Sequence, residues 1–299
     1  MDYIYRMKEK LIYRLIKVRE ILLLSFYNLI RSFYKNKNTD FQEIIYKNRT
    51  IINNKQIFLT KEEYDVNTYG IPGHIFSKID KKINNFPTYS DIFLFFSSYL
   101  SEKINYLEIG VSVLKNFVQL NANFESANLV AYDINPIAPS NKGLFNNNEK
   151  LDGDSNIFYG SNKVNNNELI YFKGSVLDGE DTELFNSKIK YKYNFIFSDA
   201  LHEPDAVMQE YQNIIKDNLD DEFILYFDDL DFEGLNSTVK NIFDDLKTSN
   251  DKIYFTTFYV NGWIGQHEKL HKNGVISTIN FYEILKREKI KLPLIKNWV

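Results

Sequence analysis

Apolar side chains recur along the first part of the chain at Ile4, Met7, Leu11, Leu15, Val18, Leu22, Phe26, Leu29 and Phe33. That is a single helical stripe over residues 3–34, with lysine and arginine on the other side. Residues 36–60 are polar and asparagine-rich, with one short extended piece at Gln56 to Leu59. Tyr69 to His74 reads as a turn from its glycine and proline content. Pro87 to Ser90 offers an N-cap to an apolar helix running to about Glu102. From there the pattern alternates between short apolar runs and helix-period segments. Tyr106, Leu107 and Ile109 form the first strand, followed by Glu108-Ile-Gly110 and then by Val113, Phe117 and Leu120 at helical spacing. Ala127 to Asp133 and Leu169 to Phe172 are the second and third strands. Between them, residues 135–167 are rich in Asn, Ser, Gly and Pro, longer than an ordinary connection, and read as an insertion at the rim of a site. Tyr193 to Asp199 is a fourth strand and Phe223 to Asp229 a fifth, joined by a helix carrying Val207, Tyr211, Ile214 and Ile215 on one face. A helix over Ser237 to Leu246 and strands at Ile253–Val260 and Gly274–Ile279 complete the pattern, the last two as an antiparallel edge hairpin.

Strands alternating with helices predict an open α/β fold, mostly parallel, in which ligands bind at the carboxyl ends of the strands. The pattern divides the chain into an N-terminal amphipathic helix and linker (1–60), a helical cover or lid (61–103) and a main domain (104–299). Acids collect at the strand ends. Asp133 ends the second strand 25 residues after Glu108, where a carboxylate can accept hydrogen bonds from ribose hydroxyls. Asp199 ends the fourth strand. Asp228 and Asp229 end the fifth, 29 residues later, the length of one crossover. Three carboxylates on one sheet edge are costly together unless a cation neutralises them, and oxygen ligands suit a hard ion, Mg²⁺ before Ca²⁺ or Mn²⁺. A dinucleotide turn needs further glycines, but Ser112, Val113 and Leu114 stand there, which disfavours a phosphate-bearing cofactor.

The E-I-G-V-S segment resembles the first motif of class I S-adenosylmethionine-dependent methyltransferases. The D-x-x-H of Asp199 to His202, with the paired acids, resembles the metal-dependent O-methyltransferases of the catechol and sugar-modifying types. The likeness covers roughly residues 95–280. It implies a Rossmann-like seven-stranded sheet with an antiparallel edge hairpin, here with an N-terminal helical extension. It implies S-adenosylmethionine held by Glu108, Gly110, Ser112, Asp133, Ser175 and Asp199, with Asp178 a weaker candidate beside Ser175. It also implies a divalent metal on Asp199, Asp228 and Asp229, with His202 as general base. The expected reaction is methyl transfer to a hydroxyl of a small polyhydroxylated acceptor, a sugar or glycan. Two alternatives stand beside it: a metal-independent methyltransferase, and a non-catalytic protein of the same fold docking through its first helix. The chain departs from the pattern at Leu114, where a small residue is usual, and at Leu219 to Glu222, where a Pro-Gly-Gly turn is usual. His74, Trp263, His267 and His271 are candidate residues at the substrate entrance.

Composition adds three limits. A hydrophobic content of 44% with 16% aromatics supports a packed core, and the absence of cysteine removes disulfides and thiolate metal sites. Residues 1–37 carry nine Lys/Arg against three acids, so the remainder holds 27 against 37. An acidic body argues against nucleic acid as a partner. The basic helix is expected to pack on the main domain or a second protomer, with a membrane surface as the alternative. No stretch reads as a membrane span or cleaved signal, so a cytoplasmic protein, at most peripheral to a membrane, is expected.

Overall fold

The computed structural model describes residues 14, 15, 17–27, 29, 37–54, 86–145, 147–150, 158–262 and 270–298. Residues 17–27 are helical, and a second helix, α1, spans Thr39–Asn54. The polar reading of that stretch as linker is corrected here. Phe41, Ile45 and Ile52 are spaced to one face and buried in the core, so a helix with a mostly polar composition is held by a narrow apolar stripe. α2 (Tyr89–Ser97) begins where its N-cap motif predicts, and stops five residues short of Glu102.

A single sheet follows, built from β1 (Asn105–Ile109), β2 (Asn128–Asp133), β3 (Asn147–Lys150), β4 (Phe158–Val164), β5 (Asn167–Lys173), β6 (Tyr193–Ser198), β7 (Leu219–Phe227), β8 (Tyr254–Asn261), β9 (Leu270–Ser277) and β10 (Lys296–Trp298). Its order is β10-β8-β9-β7-β6-β1-β2-β5-β4-β3. The central five strands, β5-β2-β1-β6-β7, are parallel, and the predicted hairpin β8–β9 is added antiparallel through β9. The architecture is the expected Rossmann-like one, but among the described residues the sheet has ten strands rather than seven. Two of the extra three come from the 135–167 insertion, which pairs β4 antiparallel to β5 and β3 to β4. The third is the C-terminal β10 on β8.

Side chains alternate across each strand. On one face Tyr106, Phe195, Phe197 and Tyr226 pack under α1, α2 and α3 (Lys115–Asn123), with Phe93 of α2 at the centre, 4.7 Å from the Phe197 ring and 4.8 Å from that of Tyr226. On the other face Leu107, Ile109, Ile196, Leu225 and Phe227 pack under α4 (Gly179–Lys188), α5 (Pro204–Glu210) and α6 (Leu235–Ser249). A last helix, α7 (Phe281–Arg287), stacks Phe281 on Phe96 of α2. Leu219 to Glu222, which stand where the resembled family has a Pro-Gly-Gly turn, are already extended in β7. Leu114 is wholly buried in the core at φ 60° and does not line the cleft, so its size leaves the ligand space unchanged.

Candidate active site at the carboxyl edge of the sheet

The parallel strands end side by side, and their ends line one cleft of about 530 Å³, within the range of small-molecule sites. Glu108, Gly110, Ser112, Asp133, Ser175, Asp199, His202, Asp228 and Asp229 all line it. The N-terminal side of the cleft is a tight turn. Gly110 has φ 84° and donates its N–H to Tyr132 O at 2.8 Å. The Asp133 carboxylate accepts from Val111 N at 2.8 Å and Ser112 N at 3.1 Å through Oδ2, and from Asn135 N at 2.8 Å through Oδ1. Asp133 therefore organises the glycine loop itself, and its pKa is raised by burial against those bonds. The Asn135 side chain adds a further hydrogen bond to the same carboxylate. Asp178 takes the other role open to it. It caps α4, accepting from Glu180 N and Asp181 N.

Glu108 lies on the cleft floor, 2% exposed, accepting from Tyr106 Oη and Asn116 Nδ2 at 3.0 Å each. Burial pushes its pKa up to about 8, with those two bonds opposing. A carboxyl whose folded pKa exceeds its unfolded value binds its proton more tightly in the folded state. Stability from this group is full at low pH and declines as pH rises from about 4.5 to about 8. Glu108→Gln is therefore expected to make the fall in unfolding free energy between pH 5 and 8 shallower, by up to about 1.4 kcal/mol per pH unit. Urea titrations at several pH values read this directly; parallel slopes in the two proteins would remove Glu108 as the cause.

At the opposite end, side chains from three elements form one network. His202 places Nε2 3.2 Å from Asp199 Oδ1 and Nδ1 3.2 Å from Asp229 Oδ2. His271 Nδ1 bonds Asp229 Oδ1, and Asn273, fully buried, donates to Asp228 Oδ1. Tyr226 Oη donates to Asn273 Oδ1 at 2.5 Å. Burial opposes charge on both histidines. For His202 the bond to Asp199 and the charges of Asp199, Asp229 and Asp228 outweigh it, and its pKa rises. His271 rises to about 9 by the same balance with Asp229, Asp228 and Asp231. Asp228 is pushed well up by burial and by the neighbouring Asp229 and Asp199.

Among the described residues, the ligating atoms that close on one point are those of Asp228, Asp229 and His271, all within 4.8 Å of one another. The expected trio had Asp199 in place of His271; Asp199 is linked to Asp229 through His202. His271 was expected as an entrance residue and sits instead inside the acid cluster. β9 begins at Leu270, four residues before the strand read from the sequence, and that extension carries His271 and Asn273 inward. The polar run Leu-His-Lys-Asn gave no period to find. His74, Trp263 and His267 lie outside the described residues.

Two further cleft residues had no sequence signal. Tyr89, at the start of α2, is buried with its ring under Lys115 Nζ at 4.6 Å, and its pKa is raised by burial and by Asp199, Asp228, Glu108 and Asp229. Lys115 donates to Ser90 Oγ at 2.7 Å, and burial drives its pKa well below the usual amine value. In sequence Lys115 is an ordinary lysine in the first turn of a helix, and only the fold over it by α2 removes it from water.

The fold and cleft define an α/β protein with a glycine-turn crevice at one end and a carboxylate–histidine cluster at the other. No protein-family model and no curated protein matches the chain. Solved structures do. An O-methyltransferase from Bacillus cereus in complex with SAH is 12% identical, covers 86% of this chain and 98% of its own, and has a TM-score of 0.42. An O-methyltransferase from Streptomyces achromogenes, involved in tomaymycin synthesis and bound to SAM, is 14% identical over 63% of this chain and 78% of its own, with a TM-score of 0.40. An rRNA methylase from Streptococcus thermophilus is 13% identical over 62% and 93%, with a TM-score of 0.34. Likeness at this level assigns no family and no activity.

Proposed function

We propose that the cleft binds S-adenosylmethionine and transfers its methyl group to a hydroxyl of a small polyhydroxylated acceptor, with a divalent cation and His202 as base. The observation that carries the reading is the joining of the Gly110–Asp133 turn and the acid–histidine cluster in one cavity. The residues fit the cofactor. Gly110 and Asp133 line the cleft at its tight turn, where Asp133 presents a buried carboxylate, and the exposed Ile134 and Leu177 give apolar walls suited to an adenine face.

The donor set fits a cation as well. Asp228, Asp229 and His271 offer two carboxylates and an imidazole, a set that suits Mn²⁺ at least as well as Mg²⁺. A cation held there would polarise the acceptor oxygen and offset the carboxylate charge that keeps the proton on His202. His202 must be neutral to take the acceptor's proton; the acceptor oxygen then bonds to the methyl carbon as the carbon–sulfur bond breaks, leaving a neutral thioether. Tyr89, close to the same acids, is placed to orient the acceptor.

One observation favours a second reading, a metal-independent methyltransferase. The two histidines, when protonated, already pair with Asp199 and Asp229 within the protein. Calorimetric titration with S-adenosylmethionine, with and without Mg²⁺ or Mn²⁺, separates these. Micromolar binding is expected, weakened about tenfold to a hundredfold in Asp133→Ala, because the carboxylate that holds the Val111–Ser112 turn of the cleft is lost. Absence of heat and of thermal shift in every condition would end the methyltransferase reading. Turnover unaffected by chelation and by Asp228→Asn would select the metal-independent form.

A further inference from the structure

The N-terminal helical segment is mounted the wrong way round for a core helix. Glu20, Leu24 and Tyr27 are its partly buried residues. Glu20 accepts from Tyr259 Oη at 3.0 Å and lies 3.8 Å from Lys272 Nζ, so its acidic side is against β8 and β9. Leu15, Val18, Leu22, Phe26 and Leu29 lie within an arc of about 80° on the opposite side at 3.6 residues per turn. They face outward, with Leu22 66%, Phe26 60% and Leu29 75% exposed. Arg14 and Arg19 are exposed and flank that stripe. The described part of the apolar stripe, Leu15 to Leu29, therefore does not pack on the main domain, one of the two partners expected from the sequence.

A contiguous apolar face of this kind on a folded protein marks a contact surface. We infer that residues 14–29 dock on an anionic lipid surface, apolar stripe into the headgroup boundary and basic residues onto the lipid charges. Charge decides the occupant. Residues 1–37 carry a net charge of about +6, so two copies of this segment repel each other where a bilayer rich in anionic lipid attracts each one. Leucine and phenylalanine on one face with lysine and arginine beside it is the composition of helices that lie in the membrane plane. No helix among the described residues is long and apolar enough to cross a membrane, which matches lying on it. The one acid of residues 14–29, Glu20, is turned to the protein and away from the lipid.

Co-sedimentation of the full chain with phosphatidylcholine vesicles, with and without 30% phosphatidylserine, tests this. Binding at least about tenfold tighter to the anionic vesicles is expected, falling as salt is raised. Leu22→Glu with Phe26→Glu should abolish it, and Arg14→Glu with Arg19→Glu should weaken it about tenfold or more. These side chains are exposed, so an unchanged circular dichroism melt is expected alongside. Sedimentation velocity of the same proteins reads the rival. A dimer dissociated by Leu22→Glu would overturn the proposal in favour of self-association. Equal affinity for both vesicle types, no affinity for either, or retained binding in the Leu22/Phe26 variant would also overturn it.

Discussion

Replacing Gly110 with alanine is expected to lower the stability of the whole domain by about 3 kcal/mol and to disable the cleft with it. Two penalties combine. At φ 84° a side chain is strained by about 1–2 kcal/mol. The new Cβ would also stand 2.5 Å from Ala200 Cα and 2.6 Å from its nitrogen, and against the Asp199 carbonyl. These are backbone atoms and cannot swing aside. The strand ends are locked by the bond from Asp199 N to Ile109 O at 2.8 Å, so relief requires β1 and β6 to part at their tips. Overpacking of that kind costs about 1–3 kcal/mol. A melting temperature lower by roughly 5–10 °C is the expected reading. Loss of calorimetric binding should accompany it, because Asp199 is moved relative to His202. A Gly110→Ala protein melting with the parent would show that the turn adjusts at little cost.

The second large effect is expected from Asp91, remote from the chemistry. Its carboxylate is fully buried and takes five bonds: from Asn48 Nδ2 at 2.8 Å, from both terminal nitrogens of Arg49 at 3.2 and 2.6 Å, and from Thr88 N and Oγ1 at 2.8 and 3.2 Å. Arg49, 3% exposed, reaches on to Phe86 O at 2.7 Å. This one acid ties α1 to the first turn of α2. Removing it leaves a buried guanidinium without its counter-charge, a change that costs about 3–5 kcal/mol. Asp91→Ala should shift the urea midpoint accordingly. Asp91→Ala with Arg49→Met should cost less than the sum of the single changes, since the stranded charge is gone. The site feels the same loss, because the turn that Asp91 pins carries Tyr89 and Ser90, the partners of Lys115. If Asp91→Ala unfolds at the parent's midpoint, α2 is held by its aromatic face alone.

These two residues differ in how openly the sequence declares them. Gly110 stands between a strand pattern and a helix pattern, and a backbone turn is what glycine provides there. Asp91 reads as the third position of a helix start, and nothing local announces that Arg49, 42 residues earlier, completes it. The same divide runs through the fold. The five parallel strands were legible because strands buried on both faces are nearly continuous apolar runs, as in Tyr193 to Ser198. The strands of the insertion were not. Phe-Tyr-Gly-Ser-Asn-Lys-Val has little intrinsic preference for a strand, and it becomes one by pairing with β5, a tertiary cause that composition does not carry. In the cleft, the acids at strand ends were found because strand ends are where a parallel sheet collects its ligands. His271 was placed at the entrance rather than in the acid cluster because it arrives on an antiparallel strand running the other way, whose start rather than its end meets the site.

The added strands also decide how the sheet meets other chains. Without β3 and β4, the outermost strand on that side would be β5, seven residues long and carrying Leu169, Ile170, Tyr171 and Phe172. A long apolar border with free amides is a template on which further strands assemble into aggregates. Instead the border is β3, four residues of Asn-Asn-Glu-Lys, and the far border is β10, three residues of Lys-Asn-Trp. Both are too short and too polar to recruit a foreign strand. In a chain so rich in isoleucine, phenylalanine and tyrosine, the described strands of the insertion thus form a selvedge that covers the apolar edge of β5.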